Sequence, residues 1–183
     1  MTSTELDELY GTCDLPARPV AQHELNYRPM SHMTLNDETA AFLKSYMDQA
    51  APVKLYHPSA QTSHILWLID ENGVMHIAVE EIINEDGTLI GVLPKSILAR
   101  PPKDELRKLG HPSLLPPGQT KARIGGEIGY DPGGHDGREW CLTNESGRFG
   151  TCPGRTEAHL QAACGIFEDF DIYLAYEFYS PVN

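Results

Sequence analysis

Hydrophobic and polar residues alternate along the chain in patterns that predict both strands and helices. In the first half, apolar runs are separated by the turns DENG and NEDG, whose Asn-Gly and Asp-Gly pairs are strong hairpin signals. They predict a β-meander with strands over residues 64–69, 74–83 and 88–93. Further apolar runs predict strands over residues 120–130, 138–143 and 171–179.

Two segments show the helical spacing, in which apolar residues recur every three or four positions. The first, over residues 36–50, begins at Asn36, a preferred N-cap residue. Its apolar stripe is predicted to contain Ala40, Phe42, Leu43, Tyr46 and Met47. The second, over residues 155–170, has Thr156 as its N-cap. Its stripe is predicted to contain Leu160, Ala163, Cys164 and Phe167.

The remaining segments complete a prediction of the fold class. Residues 94–110 predict one or two short helices, broken at Pro101-Pro102 and ended by Gly110. Residues 1–33 are polar and contain prolines, which predicts an N-terminal arm or cap. Residues 34–183 predict a single α+β domain, with about six strands in a mixed or antiparallel sheet and three or four helices packed on it.

Composition narrows the classes of function. The formal net charge of −12 repels phosphate backbones and argues against a nucleic-acid partner. An acidic surface suits a basic protein partner, although net charge often serves solubility alone. No apolar run approaches the ~20 residues of a membrane span, and the acidic N-terminus lacks the apolar core of a classical signal peptide. A soluble protein without a membrane partner is therefore expected.

The cysteines and histidines predict no metal site. The four cysteines include no CxxC pair, and no histidine stands at zinc-finger spacing from them. This low cysteine density favours a reducing compartment. The eight histidines are scattered, so a metal-dependent hydrolase has little support.

Three polar clusters interrupt the apolar elements between residues 111 and 150, where a ligand site is predicted. They contain His111 and Ser113; Gly125, Gly126 and Glu127; and Asn144, Ser146, Gly147, Arg148 and Phe149. Glycines inside a strand weaken it unless a ligand or another backbone must approach closely. Glu127 therefore faces either solvent or a cleft that the two glycines open.

The third cluster combines turn chemistry with side chains that a turn does not require. An Asn-x-Ser-Gly sequence permits an Asx-turn, and glycine permits positive φ, which accounts for Asn144 and Gly147. Arg148 and Phe149 remain unexplained. A guanidinium pairs with phosphate and an aromatic ring stacks on a planar group, so these two suit a phosphorylated, planar ligand.

The order of the three clusters resembles a module of bacterial effectors and toxins, fungal proteins and plant calmodulin-binding IQ-motif proteins. The shared pattern is a His-x-Ser, a glycine-rich strand, a Ser-Gly followed by a basic and an aromatic residue, and a helix, over residues 111–177. Among these proteins, the chain resembles the CteC-type effectors, mono-ADP-ribosyltransferases that modify a threonine of ubiquitin. The resemblance implies an ADP-ribosyltransferase-like fold, NAD as donor, ubiquitin as acceptor and action in a host cytosol after secretion.

The resemblance also implies roles for the candidate residues. The nicotinamide–ribose bond breaks through an oxocarbenium-like transition state, which Glu127 would stabilise. Asn144 and Ser146 would assist it by bonding the ribose or the nicotinamide amide. The remaining candidates would serve NAD binding: Arg148 and Arg28 would hold its pyrophosphate, Phe149 would stack on the nicotinamide ring, and Ser113 would bond the ribose or amide. His111 would either fix the loop or contact the adenosine end.

A non-enzymatic protein is the alternative. ADP-ribosyltransferases usually carry a Ser-Thr-Ser element and an ExE or QxE after a late strand, and this chain has neither series. Its small size and charge of −12 are also typical of an acidic immunity protein or adaptor that binds a basic partner.

Overall fold

Nine strands and four α-helices make up the part of the chain that the computed structural model describes, residues 1–50, 64–92, 106–135 and 137–180. The strands are β1 (Met33–Thr34), β2 (Ile65–Asp70), β3 (Met75–Val79), β4 (Glu81–Ile83), β5 (Leu89–Val92), β6 (Arg107–Leu109), β7 (Ala122–His135), β8 (Arg138–Thr143) and β9 (Ala175–Glu177). The helices are α1 (Ser3–Tyr10), α2 (Gln22–Asn26), α3 (Asp37–Ala50) and α4 (Glu157–Glu168), with a 3-10 helix over His111–Leu114.

The strands form two sheets. The larger has the order β1-β3-β2-β7-β8-β9 and is antiparallel except for the parallel pair β8 and β9. The smaller has the order β5-β4-β6 and is antiparallel. The architecture is therefore α+β with a mixed sheet and helices, as the sequence predicts.

Strand β2 is buried on both faces of the larger sheet. Ile65, Trp67 and Ile69 point into the main core, together with residues of α1, α3 and α4. Leu66 and Leu68 point the other way, into a smaller core that contains residues of the 3-10 helix and Phe149. Successive side chains of a strand alternate between faces, so one apolar run serves two cores.

The two long helices form where the sequence predicts them. The Asn36 side chain accepts hydrogen bonds from the backbone N–H groups of Glu38 and Thr39, each at 3.0 Å, and so caps α3. The stripe of α4 and the Ala40, Leu43 and Met47 positions of α3 are buried. Phe42 is wrong as a member of that stripe: it is 61% exposed, because it lies two residues from Ala40, on another face of the helix.

Two secondary-structure predictions, one of a strand and one of a helix, are wrong. Residues 74–83 form two strands, because the chain leaves the larger sheet at Glu80 and joins the smaller one. Residues 107–109 form β6 instead of a helix, because backbone pairing with β4 overrides local propensity. Residues 94–105, the rest of the predicted helices, lie outside the described residues. Strand β7 continues to His135, beyond the strand predicted over residues 120–130.

The N-terminal residues are anchored on the domain by buried arginines. Leu6 of α1 belongs to the main core. The Arg123 guanidinium is buried, pairs with Asp7 and donates to the backbone carbonyl of Gly11 at 3.1 Å. Arg155 pairs with Asp14 at 3.0 Å. Buried charges of this kind are tolerated only where they are paired and hydrogen-bonded, so residues 1–14 form an integral part of the domain.

Three polar side chains form a chain of contacts beside β1. His76 Nε2 lies 3.4 Å from the Asp70 carboxylate, and His76 Nδ1 lies 3.2 Å from His32 Nε2. Burial, together with the positive charges of Arg28 and His76, lowers the pKa of His32 to about 4 from its ordinary 6.5.

We expect His32 to make stability fall in mild acid. The unfolded chain binds a proton at His32 below about pH 6.5, whereas the folded protein binds it only below about pH 4. Protons therefore favour unfolding, and stability is lost as the pH falls between these values. Urea denaturation at pH 7, 5.5 and 4.5 should show a smaller decline for His32→Asn than for the wild type or the control His23→Asn. Equal declines in all three would contradict this role.

Candidate functional site

The three polar clusters of the sequence meet around β7. His111 Nε2 donates to the carbonyl of Gly126 at 2.9 Å. A Cβ at Gly126 would lie 1.8 Å from the Thr143 carbonyl oxygen, and one at Gly150 would lie 1.8 Å from the Asn144 carbonyl oxygen. Both glycines therefore allow backbone segments to pack closely. For Gly126, which lies within β7, the close approach is made by another backbone segment and not by a ligand.

Asn144 and Ser146 are engaged by the backbone around them. The buried Asn144 amide donates to the carbonyls of Gly150 at 3.0 Å and Tyr179 at 2.9 Å, and accepts from the Tyr179 N–H at 2.7 Å. Ser146 Oγ accepts from the Phe149 N–H at 3.2 Å. Asn144 thus ties the loop after β8 to the C-terminal segment, and Ser146 closes a turn.

The other predicted side chains near β7 are also buried. Ser113 Oγ donates to the carbonyl of Gly110 at 2.6 Å, within the turn that holds His111. The Phe149 ring is fully buried in the smaller core with Leu66 and Leu114. In this structure the ring presents no exposed face to a ligand, and its contribution is packing.

Glu127 lies beside a cleft. Its carboxylate, 16% exposed, accepts a hydrogen bond from His64 Nδ1. Burial alone raises the pKa of Glu127, but the hydrogen bond and charge of His64, with the charges of His111 and Lys108, outweigh it and leave that pKa below its usual value. The carboxylate is therefore ionised at neutral pH.

The cleft is small and acidic. Its volume is about 160 Å³, and Thr143 and Tyr179 contribute to its lining. Its other acidic residues are Asp131, Glu145 and Glu177. Burial, a hydrogen bond with Glu177 and the charge of Glu145 raise the pKa of Tyr179 to about 12. This electronegative environment favours a ligand group that carries or develops positive charge.

A second pocket, of about 370 Å³, is basic. Its lining includes the cationic side chains of Arg107, Lys108 and Arg148, together with His23. Arg148 Nη2 donates to the buried Glu24 carboxylate at 3.2 Å, whereas its Nη1 is buried without a hydrogen-bond partner among the described residues. Such an unsatisfied donor is costly, so it marks a position where an anion would be favourable.

Lys108 connects the two pockets electrostatically. Its ammonium pairs with the buried carboxylate of Glu80 and lines the basic pocket. It also contributes to lowering the pKa of Glu127. The sequence motifs do not include His64 or Lys108: His64 appears only as a histidine at the start of a predicted strand. Only strand pairing places His64 beside the Glu127 region and Lys108 on β6.

Arg28 does not line the basic pocket. It lines a third pocket, of about 410 Å³, together with Ser113. Its guanidinium donates to the carbonyl of Leu115 at 2.5 Å. Arg28 and Arg148 therefore do not form a single phosphate clamp in this structure.

The described part of the chain has neither a cluster of metal-ligating side chains nor a helix that could span a membrane. Within residues 1–50, 64–92, 106–135 and 137–180, no three His, Cys, Asp or Glu side chains are grouped to hold a metal ion. Over the same ranges, no helix has the length and apolar character needed to span a bilayer.

Comparison of the chain with protein-family models, with curated proteins and with solved structures finds no match.

Proposed function

We propose that this protein is an NAD-dependent mono-ADP-ribosyltransferase with an ADP-ribosyltransferase-like fold, acting as a secreted effector on a threonine hydroxyl of ubiquitin in a host cytosol. The main structural support is the ionised Glu127 carboxylate in an acidic cleft, together with a basic pocket that is lined by Arg148 and by Lys108, whose charge acts on Glu127. The choice of NAD and ubiquitin rests on the motif order described above.

The acidic cleft suits the reacting end of NAD. The bond between ribose C1′ and the nicotinamide nitrogen breaks, its electron pair leaves with neutral nicotinamide, and positive charge develops on the ribose. The Glu127 carboxylate would stabilise that charge. The acceptor oxygen then bonds to C1′, and its proton passes to Glu127. His64 is a positioning residue, because its hydrogen bond fixes and ionises this carboxylate.

The basic pocket suits the pyrophosphate of NAD. Arginine forms bidentate hydrogen bonds with phosphate, and Arg148 has a buried Nη1 donor without a described partner. Lys108 and Arg107 would add positive charge from β6. Arg148 would therefore hold the pyrophosphate, the role that the resemblance implies for it.

The remaining candidates would hold Glu127 and Arg148 in place and would not contact NAD. Asn144 and Ser146 hold the loop that carries Arg148, and His111 bonds the backbone next to Glu127. Ser113 closes the turn that holds His111, and Phe149 packs in the smaller core. Each would affect activity through the geometry of Glu127 and Arg148.

The proposal predicts a specific covalent product. We expect incubation with NAD and ubiquitin to raise the mass of ubiquitin by one ADP-ribose unit and to release nicotinamide in equal amount. Intact-mass spectrometry with peptide mapping would locate the unit on a threonine. Heat-denatured protein is the control. The absence of both a mass increase and nicotinamide release would contradict the proposal.

The acidic cleft also favours a second candidate, a non-enzymatic protein that binds a basic partner. Asp131, Glu145 and Glu177 lie near Glu127, and the net charge is −12. Opposite charge accelerates association and makes it dependent on salt. A tight, salt-sensitive complex with a basic protein, with no thermal shift on adding NAD, would favour this candidate over the enzyme.

A further inference from the structure

Residues 15–32, here called the strap, cross the surface between two fixed points. Before the strap, Asp14 bridges Ala122 of β7 and pairs with Arg155. After it, β1 pairs with β3. Within the strap only Glu24 and Pro29 are buried. Apolar burial is the dominant stabilising contribution to folding, so the strap gains little of it.

Polar contacts hold the strap in place. The Ala17 N–H donates to the carbonyl of Arg148 at 2.8 Å, and His23 Nε2 donates to the carbonyl of Lys108 at 2.9 Å. Each of these two exchanges a bond with water for a bond within the protein, so its net contribution is small. The end of the strap is held more firmly, because the Met30 and Ser31 N–H groups donate to the buried Glu81 carboxylate at 2.9 and 2.8 Å. A segment with few buried apolar contacts opens at a lower free energy than the core.

The buried strap residue Glu24 lies in the basic pocket. Its side chain is 7% exposed, accepts from Arg148 Nη2 at 3.2 Å and also accepts from the backbone N–H of Ala21 at 3.1 Å. A carboxylate is the anion that the chain itself can supply to an arginine. It leaves Arg148 Nη1 without a described partner, whereas a diphosphate has enough oxygens for both nitrogens.

We propose that the strap is an autoinhibitory segment: Glu24 occupies the anion subsite at Arg148, and a diphosphate-bearing ligand displaces Glu24 and releases the strap. The diphosphate site itself rests on the proposed function. Competition requires that removing the Glu24 charge strengthens diphosphate binding, and that diphosphate loosens the strap, because the coupling is reciprocal.

The test uses inorganic pyrophosphate and the full chain. We expect titration calorimetry to show that Glu24→Gln binds pyrophosphate roughly tenfold or more tightly than the wild type, because a charge-assisted hydrogen bond no longer competes. Glu8→Gln, which removes an exposed carboxylate from α1, should bind like the wild type. Arg148→Ala should lose binding. Thermal unfolding would verify that each variant is folded.

A second measurement needs no variant. Hydrogen exchange of the wild type should become faster over residues 21–31 when pyrophosphate is added. Equal affinities of the wild type and Glu24→Gln, unchanged or slower strap exchange, undiminished binding by Arg148→Ala, or no binding by any variant would each overturn the autoinhibitory role. If these results hold but Glu24→Gln transfers no ADP-ribose, the proposed enzymatic function fails and the autoinhibitory contact stands.

Discussion

Glu127→Gln is expected to lower ADP-ribosyl transfer at least about 100-fold without unfolding the protein, because a neutral amide does not stabilise the cationic ribose or accept the proton. The amide has nearly the same shape as the carboxylate. It can still bond to His64, so the local packing is retained. Initial rates of ubiquitin modification at saturating NAD would measure the loss.

Glu177→Gln is the matched control, because it removes a carboxylate from the same cleft. It should retain most of the activity if the charge must lie at Glu127. If the cleft acted only through its total negative charge, both substitutions would lower the rate of ADP-ribosyl transfer to the same extent. Full activity in Glu127→Gln would remove this residue from the catalytic step.

Gly126→Ala is expected to destabilise the fold by about 4 kcal/mol or more, in the range seen when a buried site is severely overpacked. The added Cβ would lie 1.8 Å from the Thr143 carbonyl oxygen and 2.8 Å from the Asn144 Cα. Both are backbone atoms, so relief requires β7 to move away from the loop after β8. That movement would also strain the hydrogen bond from His111 to Gly126.

Gly165→Ala provides the control for this prediction. Gly165 lies within α4, and a Cβ there meets no atom within 4 Å. Alanine should therefore stabilise the helix by about 0.5–1 kcal/mol. Urea denaturation of the three proteins would measure the difference. A Gly126→Ala protein within about 1 kcal/mol of the wild type would show that β7 can adjust at little cost.

The elements that the sequence predicts correctly depend on local patterns. The helix that begins at Asn36 follows from a cap and an apolar stripe within one segment. The hairpin between β2 and β3 follows from the Asn-Gly turn and its flanking apolar runs. In both, the residues that determine the structure are close in the sequence, so the pattern is sufficient.

The sequence-based predictions fail where contacts with residues distant in the sequence determine the local structure. Residues 107–109 carry charged residues typical of a helix, yet β4 offers them a strand partner. Glu80 stands within residues 74–83, whose pattern predicts one strand, yet the chain changes sheets there. Phe149 sits beside a phosphate-binding candidate, but the smaller core buries its ring. Backbone pairing and packing across the sheet outweigh local preference at these positions.

The sequence by itself determined the α+β class, the two long helices, the hairpin turns and the polar clusters around Glu127 and Arg148, because their signals are local. Only the tertiary structure placed His64 on Glu127, Lys108 near both pockets and Glu24 against Arg148. The His64–Glu127 contact joins residues 63 positions apart, and the Glu24–Arg148 contact joins residues 124 positions apart. They depend on strand register and on the path of the strap, which the spacing of residues along the chain does not encode.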